Sequence, residues 1–232
     1  MKLIKKLFLI ILSIIFVFSL IFGISGYSLY KKAVKDIPLS QKVSQIQSEE
    51  NFVSYDSLPK DLINATVAVE DHRFWDHGAI DPIGIARAIT SNIKAKNAVE
   101  GGSTITQQVA KNLYFMEETD GFSRKSAELI MSYHLEKNYS KEEIFELYVN
   151  TIYYGNGYYG IYDAAMGYFN KEPKDLNISE CTLLAGVPNA PSVYAPTANM
   201  DLCISRQKKV IQDMVKHGYI TQEQADGIKL GI

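Results

Sequence analysis

Residues 7–30, "LFLIILSIIFVFSLIFGISGYSLY", form an uncharged run of 24 side chains between Lys6 and Lys31. No other feature restricts the fold as strongly. Coiled as a helix, the run extends about 36 Å, enough to cross a hydrocarbon core of about 30 Å. A cleaved leader is the competing reading, because residues 23–28 are rich in small side chains. The apolar run is longer than a leader core and no A-x-A site follows, so an anchor is expected. This divides the chain into a cytoplasmic tail (1–6), a transmembrane helix (7–30), a juxtamembrane linker (31–56) and one domain (57–232). Lysines flank the helix on both sides. The N-terminal amine tips the charge balance toward a short internal tail, a single pass and an extracytoplasmic domain.

The charge balance of that domain removes one class of function. The first 35 residues hold six lysines and no acid, which leaves 18 basic against 26 acidic side chains in residues 36–232. Such a surface has no global field for nucleic acid, and an anionic ligand would need a local cluster of cations. The two cysteines, Cys181 and Cys203, suggest neither a disulfide framework nor a zinc site; two buried free thiols are expected.

Helical spacing dominates beyond the linker. Ile63, Val67, Glu70 and Phe74 fall at i, i+4, i+7 and i+11, which predicts a helix over 61–74. Asp81-Pro82 opens another, with Ile85, Ala88, Ile89 and Ile93 as its apolar face. A turn-like segment, 95–104, precedes a helix from Thr104. A long stretch from Ser123 follows, and "SKEE" at 140–143 is a capping box. Thr221 and Gln224 cap a last short helix. No sustained β alternation occurs, so the domain is mainly α.

Two carboxylates sit on apolar faces. Glu70 shares its face with Ile63, Val67 and Phe74, and lost hydration there would raise its pKa and suit it to accept a proton. An ordinary pairing with Arg73 or His77 explains it equally well. Glu128 has Met131 and Leu135 at i+3 and i+7, and its plain alternative is an ion pair with Arg124 or Lys125. Two such acids in one cleft suit glycosyl chemistry. "GGSTITQQVAKN" (101–112) leads two glycines into Ser103 and Thr104 at a helix start, an arrangement that binds anions, with Gln107 and Lys111 on the face of Ser103. It lacks the spacing of a P-loop. "YYGNGYYG" (153–160) is either an aromatic sugar groove around Asn156 or a tight turn carrying core tyrosines. "PNAPSVYAP" (188–196) reads as structural.

In this order, five motifs across residues 58–196 resemble the glycosyltransferase family 51 domain, the peptidoglycan polymerase of class A penicillin-binding proteins and monofunctional transglycosylases. They are "EDHRF" with "HGAID"; "GGSTITQQVAKN"; "RKSAELIMSYHLEKNYSKEEIFELYVN"; "YYGNGYYGIYDAAMGYF"; and "SECTLLAGVPNAPSVYAP". The resemblance implies a lysozyme-like, mainly α glycosyltransferase domain with a smaller membrane-proximal jaw, preceded by one transmembrane helix. It implies transfer of a growing glycan from polyprenyl pyrophosphate to the 4-hydroxyl of the N-acetylglucosamine of lipid II, with inversion. Glu70 is then the base, and Glu128 the second acid, acting directly or through a divalent cation (Mg or Mn), with no organic cofactor. Ser103, Thr104, Gln107 and Lys111 hold the donor, and Arg124 and Lys125 add charge. Asp71, Arg73, Phe74, His77 and Asn156 complete the substrate surroundings. Lipid II, the lipid-linked glycan, the membrane and cell-wall synthesis proteins are the implied partners.

The chain ends where a bifunctional member would continue, so a monofunctional enzyme is expected. Two departures suggest restrained activity. Ala79 stands where the family has glycine, with Gly78 one place early, and Asp120 stands where many members have a base. A hydrophobic loop, Leu113 to Met116, is expected to dip into the outer leaflet. A lytic enzyme and a catalytically weak scaffold are the rival functions.

Overall fold

The computed structural model describes residues 2–95 and 101–232. Half of the segment expected to turn at 95–104, residues 96–100, lies outside them. Among the described residues no strand forms; a single bridge pairs Tyr153 with Tyr159. The expected mainly α architecture is what forms.

Helix α1 (Lys2–Asp36) exposes its apolar side chains from Ile4 to Ile24, apart from the half-buried Phe22, and has a stretch long and apolar enough to cross a bilayer. It does not stop at residue 30. It continues through Asp36, and α2 (Leu39–Gln47) follows almost at once, burying Val43 and Ile46 of the expected linker. Removing those two side chains from water contributes about 1.5–3 kcal/mol each, enough to hold a short polar helix against the domain.

Helix α3 (Lys60–Glu70) lies between two clusters of buried side chains. Leu62, Ile63 and Val67 enter the larger one, with Ile105, Met131, Phe145 and Leu184. Ala65 and Ala68 face the smaller one, with Val210, Ile211 and Met214 of α11 (Met200–Lys216). Burial on both faces fixes where the end of α3 points. That end is Glu70, not residue 74. Asp71 leaves the helical conformation (φ −157, ψ 73) because its carboxylate is taken by the backbone N–H of Ile105, distant in sequence, and by the ring of His77. Phe74 is then buried from a turn rather than from the face of a helix.

Helix α4 (Pro82–Ala95) begins at Asp81-Pro82 as expected, but only Ala88 of its apolar face is buried. Ile83, Ile85, Ile89 and Ile93 are exposed. The six-residue α5 (Ile105–Ala110) runs on as a π-helical turn, Lys111–Phe115. Leu113 and Phe115 of that turn are buried, and Tyr114 donates its hydroxyl to the carbonyl of Ile37, so only Met116 of the expected membrane loop is exposed. Core packing claims the others.

The aromatic contact with the apolar helix comes instead from α6 (Gly121–Asn138). Phe122 packs edge-on against Phe18 and Phe22, at ring separations of 5.2 and 4.9 Å, and Tyr30 stacks on His134. Between them α1 and α6 meet at Gly26, where a Cβ would stand 2.0 Å from the Ser126 hydroxyl oxygen, so only glycine permits this crossing. Helices α7 (Lys141–Thr151), α8 (Ile161–Phe169) and α9 (Ile178–Gly186) complete the larger core, and the four-residue α10 (Pro191–Tyr194) precedes α11. The Ser140–Glu143 capping box forms, as does that of Thr221 and Gln224 on α12 (Gln222–Asp226). Cys181 and Cys203 are buried free thiols, as expected.

Candidate active site

A cavity of about 340 Å³ opens between the end of α3, the start of α5, the middle of α6 and one face of α11. Glu70 lies in its wall. Its Oε2 accepts a hydrogen bond from Gln108 Nε2 at 2.9 Å, and Arg206 Nη2 lies 3.6 Å from Oε1, an ion pair without a hydrogen bond. Among the described residues Oε1 has no hydrogen-bond partner, although it is buried. Burial raises the pKa of this carboxyl, against the Gln108 hydrogen bond and the charge of Arg206, while Asp71 pushes it further up. Its position at the C-terminal end of α3 acts in the same sense, since the helix dipole disfavours a negative charge there. The pairing with Arg73 or His77 is not made. Arg73 forms a bidentate pair with Asp81, and His77 bonds Asp71.

Glu128 also lines the cavity, and the ion pairs with Arg124 and Lys125 both form. Its carboxylate is 4 % exposed and lies 3.4 Å from Arg124 Nε and 3.2 Å from Lys125 Nζ. Lys125 Nζ also donates to Ser103 Oγ and to Gln107 Oε1, each at 2.9 Å, which ties α6 to the glycine-led segment. Ser103, Gln107 and Lys111 line the cavity beside Glu128. Thr104 does not. Its hydroxyl caps α5 by accepting from Gln107 N and donates to the carbonyl of Ala79. With Ile105 N given to Asp71, two of the helix-start amides expected to hold an anion are already used. Lysines supply the anion-attracting charge at this end.

Asp71, Arg73, Phe74 and His77 do not line the cavity. They form the framework behind it. His77 faces the carbonyl of Gly78 with one nitrogen and Asp71 with the other, and although burial pulls its pKa down, the Asp71 bond and charge raise it on balance. Asn156 is exposed in the left-handed conformation (φ 53), in a turn with Gly155, Gly157 and Gly160 also at positive φ, so "YYGNGYYG" is a tight turn away from the cavity. Asp120 caps α6 by accepting from Phe122 N.

Several cavity residues escape a motif reading. Arg206, Lys209, Asp213, Lys216 and His217 come from α11 and the residue after it, and their i, i+3, i+7, i+10, i+11 spacing is a polar stripe alongside the buried Val210 and Met214. The pattern is legible, but a polar helix face is usually solvent-exposed. His72 and Arg87 also line the cavity. His72 bonds Arg87 and stacks on His217 at 4.2 Å, and burial, then the charges of Arg87 and His217, pull its pKa down to about 4. Pro188 and Asn189 bring in a segment expected to be structural.

A Transglycosylase family model matches residues 38–215 of the chain. The chain belongs to that family. Over 180 residues, 78% of its length, it is 43% identical to penicillin-binding protein 1A of Neisseria flavescens, of which it covers 22%. It is 44% identical over 173 residues, 75% of its length, to penicillin-binding protein 1F of Bacillus subtilis, covering 24% of that protein. This transglycosylase chain thus spans less than a quarter of the length of those relatives. The crystal structure of penicillin-binding protein 1A from Haemophilus influenzae aligns with 78% of this chain and 18% of that one, at 23% identity and a TM-score of 0.45.

A resident Mg or Mn does not fit the cavity or the framework behind it as the side chains stand. Both oxygens of Glu128 face cations. Asp71, His77 and Asp81 bring ligand atoms within 4.8 Å of one another. However, the oxygens of Asp71 already accept from Ile105 N and His77, and those of Asp81 from Arg73 and Ile83 N. Occupied lone pairs and an adjacent guanidinium disfavour a further cation.

Proposed function

We propose that this chain polymerises peptidoglycan glycan strands, using lipid II as the acceptor and a polyprenyl-pyrophosphate-linked glycan as the donor. Glu70 is the base. Its unbonded Oε1 takes the proton of the 4-hydroxyl of the acceptor N-acetylglucosamine as that oxygen attacks C1 of the donor sugar. The C1–O bond to diphosphate breaks on the opposite face, so the configuration inverts, and the leaving diphosphate carries away the bonding electrons. Lys111 and Lys125 meet that charge, with Ser103 and Gln107 as polar contacts and Glu128 holding Arg124 and Lys125 in place. Fixed cations that meet charge as it develops stabilise the transition state without rearrangement.

A single observation carries this reading: a desolvated carboxylate with one oxygen lacking a partner shares a cavity with a lysine-rich end. Hydrolytic cleavage of glycan needs the acid but not the lysines. α1 anchors the domain on the outer side of the membrane. The exposed isoleucines of α4, together with Met116, are the apolar side chains that meet the outer leaflet and admit the lipid tails. Incubating the full chain with labelled lipid II in detergent tests the function. Long polymer is expected; shortened preformed glycan would indicate a lytic enzyme, and no change a scaffold.

A further inference from the structure

Among the described residues, Arg206 is the cation paired with Glu70, and its geometry is specific. Nη2 stands 3.6 Å from the buried oxygen that lacks a hydrogen bond. That distance is beyond a good hydrogen bond but within strong electrostatic reach. The guanidinium is itself held. Its Nε donates to the carbonyl of Gly186 at 3.3 Å, and its carbon lies 5.7 Å from the Tyr194 ring centroid. The helix passes Gly186 so closely that a Cβ there would meet Arg206 Cγ at 2.9 Å. The segment running from "AGVPNAP" to Tyr194 therefore builds a seat for one arginine.

We propose that Arg206 is a positioning residue for the base: it keeps Glu70 ionised and oriented without occupying the oxygen that must accept the hydroxyl proton. This deepens the function proposed above and rests on Glu70 being that base. A hydrogen-bonded arginine would take up the oxygen's lone pair and weaken the base. The absence of any cation would push the pKa of the buried carboxyl further up. The other groups facing Glu70 cannot substitute. Gln108 of α5 is neutral, Asp71 is an acid, and Tyr148 of α7 and Tyr154 are phenols whose burial raises their pKa.

The test reads Glu70 directly. In the full chain carrying ¹³C-labelled glutamate in detergent micelles, the Glu70 carboxyl resonance is identified by its loss in Glu70→Gln and titrated without substrate. Arg206→Gln should move its midpoint upward by about one pH unit or more, and Arg206→Lys by less. The acid limb of kcat/KM for lipid II should move by the same amount, about tenfold in rate on the limb. Gly186→Ala, which keeps both charges but displaces the arginine, should give a smaller shift of the same sign and covers the case in which Arg206→Gln does not fold. An unmoved Glu70 midpoint in these variants overturns the inference whether or not polymer forms. A moved midpoint with no polymer from the unmodified chain would uphold the tie between Arg206 and Glu70 and reject the function.

Discussion

The end of α3 and the middle of α6 each bring a buried glutamate to the same cavity, and they do so in opposite ways. Glu70 has one neutral hydrogen bond and one guanidinium beyond good hydrogen-bond distance. Glu128 has two cations within 3.4 Å, one of them also tied to Ser103 and Gln107. The first is a carboxylate whose charge the fold tolerates poorly. The second is a carboxylate whose charge organises other groups. Similar burial thus yields a base in one place and a scaffold for cations in the other, and the difference comes from the partners.

The largest effect that separates the two comes from Glu70→Gln. Loss of a general base should lower polymerisation about 10²–10⁴-fold. Its effect on stability should run the other way. The raised pKa of Glu70 means that, above the ordinary carboxylate value, the folded chain holds a proton that the unfolded chain has lost. Stability therefore falls as pH rises through that window and stays reduced above the folded pKa. Glutamine removes this cost, so thermal melting at pH 7 should occur at a higher temperature than in the parent, with the difference vanishing toward pH 4. Glu128→Gln should lower activity about 10²-fold, but it should also destabilise, by about 1 kcal/mol or less, because Arg124 and Lys125 are partly exposed and their pairs are partly screened. If both variants shift melting in the same direction, the contrast between the two acids fails.

A smaller effect is expected from Lys125→Met, which releases Ser103 and Gln107. The KM for lipid-linked donor should rise about tenfold with a lesser change in kcat. A fall in kcat at constant KM would place that lysine elsewhere in the reaction. The smallest comes from Asp120→Asn, which keeps the cap on α6 while removing an exposed charge. Donor binding should tighten by about twofold or less, since salt screens such charges, and melting should not move. Tightening of tenfold or more would mean that Asp120 faces the donor directly.

The helical pattern, the capping boxes at Ser140 and Thr221 and the two acids on apolar faces were legible because each rests on local spacing. What sequence spacing could not show was where tertiary partners cut a pattern short. The helix expected to reach Phe74 ends at Glu70 because Ile105, far along the chain, and His77 in the following turn claim Asp71. The same break turns His72 into the cavity while Asp71, Arg73, Phe74 and His77 go behind it. Leu113 and Phe115 looked like membrane contacts because a hydrophobic turn reads alike whether lipid or core receives it. The stripe on α11 was visible as a period, but only the fold decides that it faces a cavity rather than water.

The central claim is that a desolvated carboxyl on α3 is the base for glycan transfer. Its most direct test is the pH dependence of kcat/KM for lipid II in the full chain. An acid limb is expected with its midpoint clearly above the ordinary carboxylate range. A rate that holds level down to that range would contradict it.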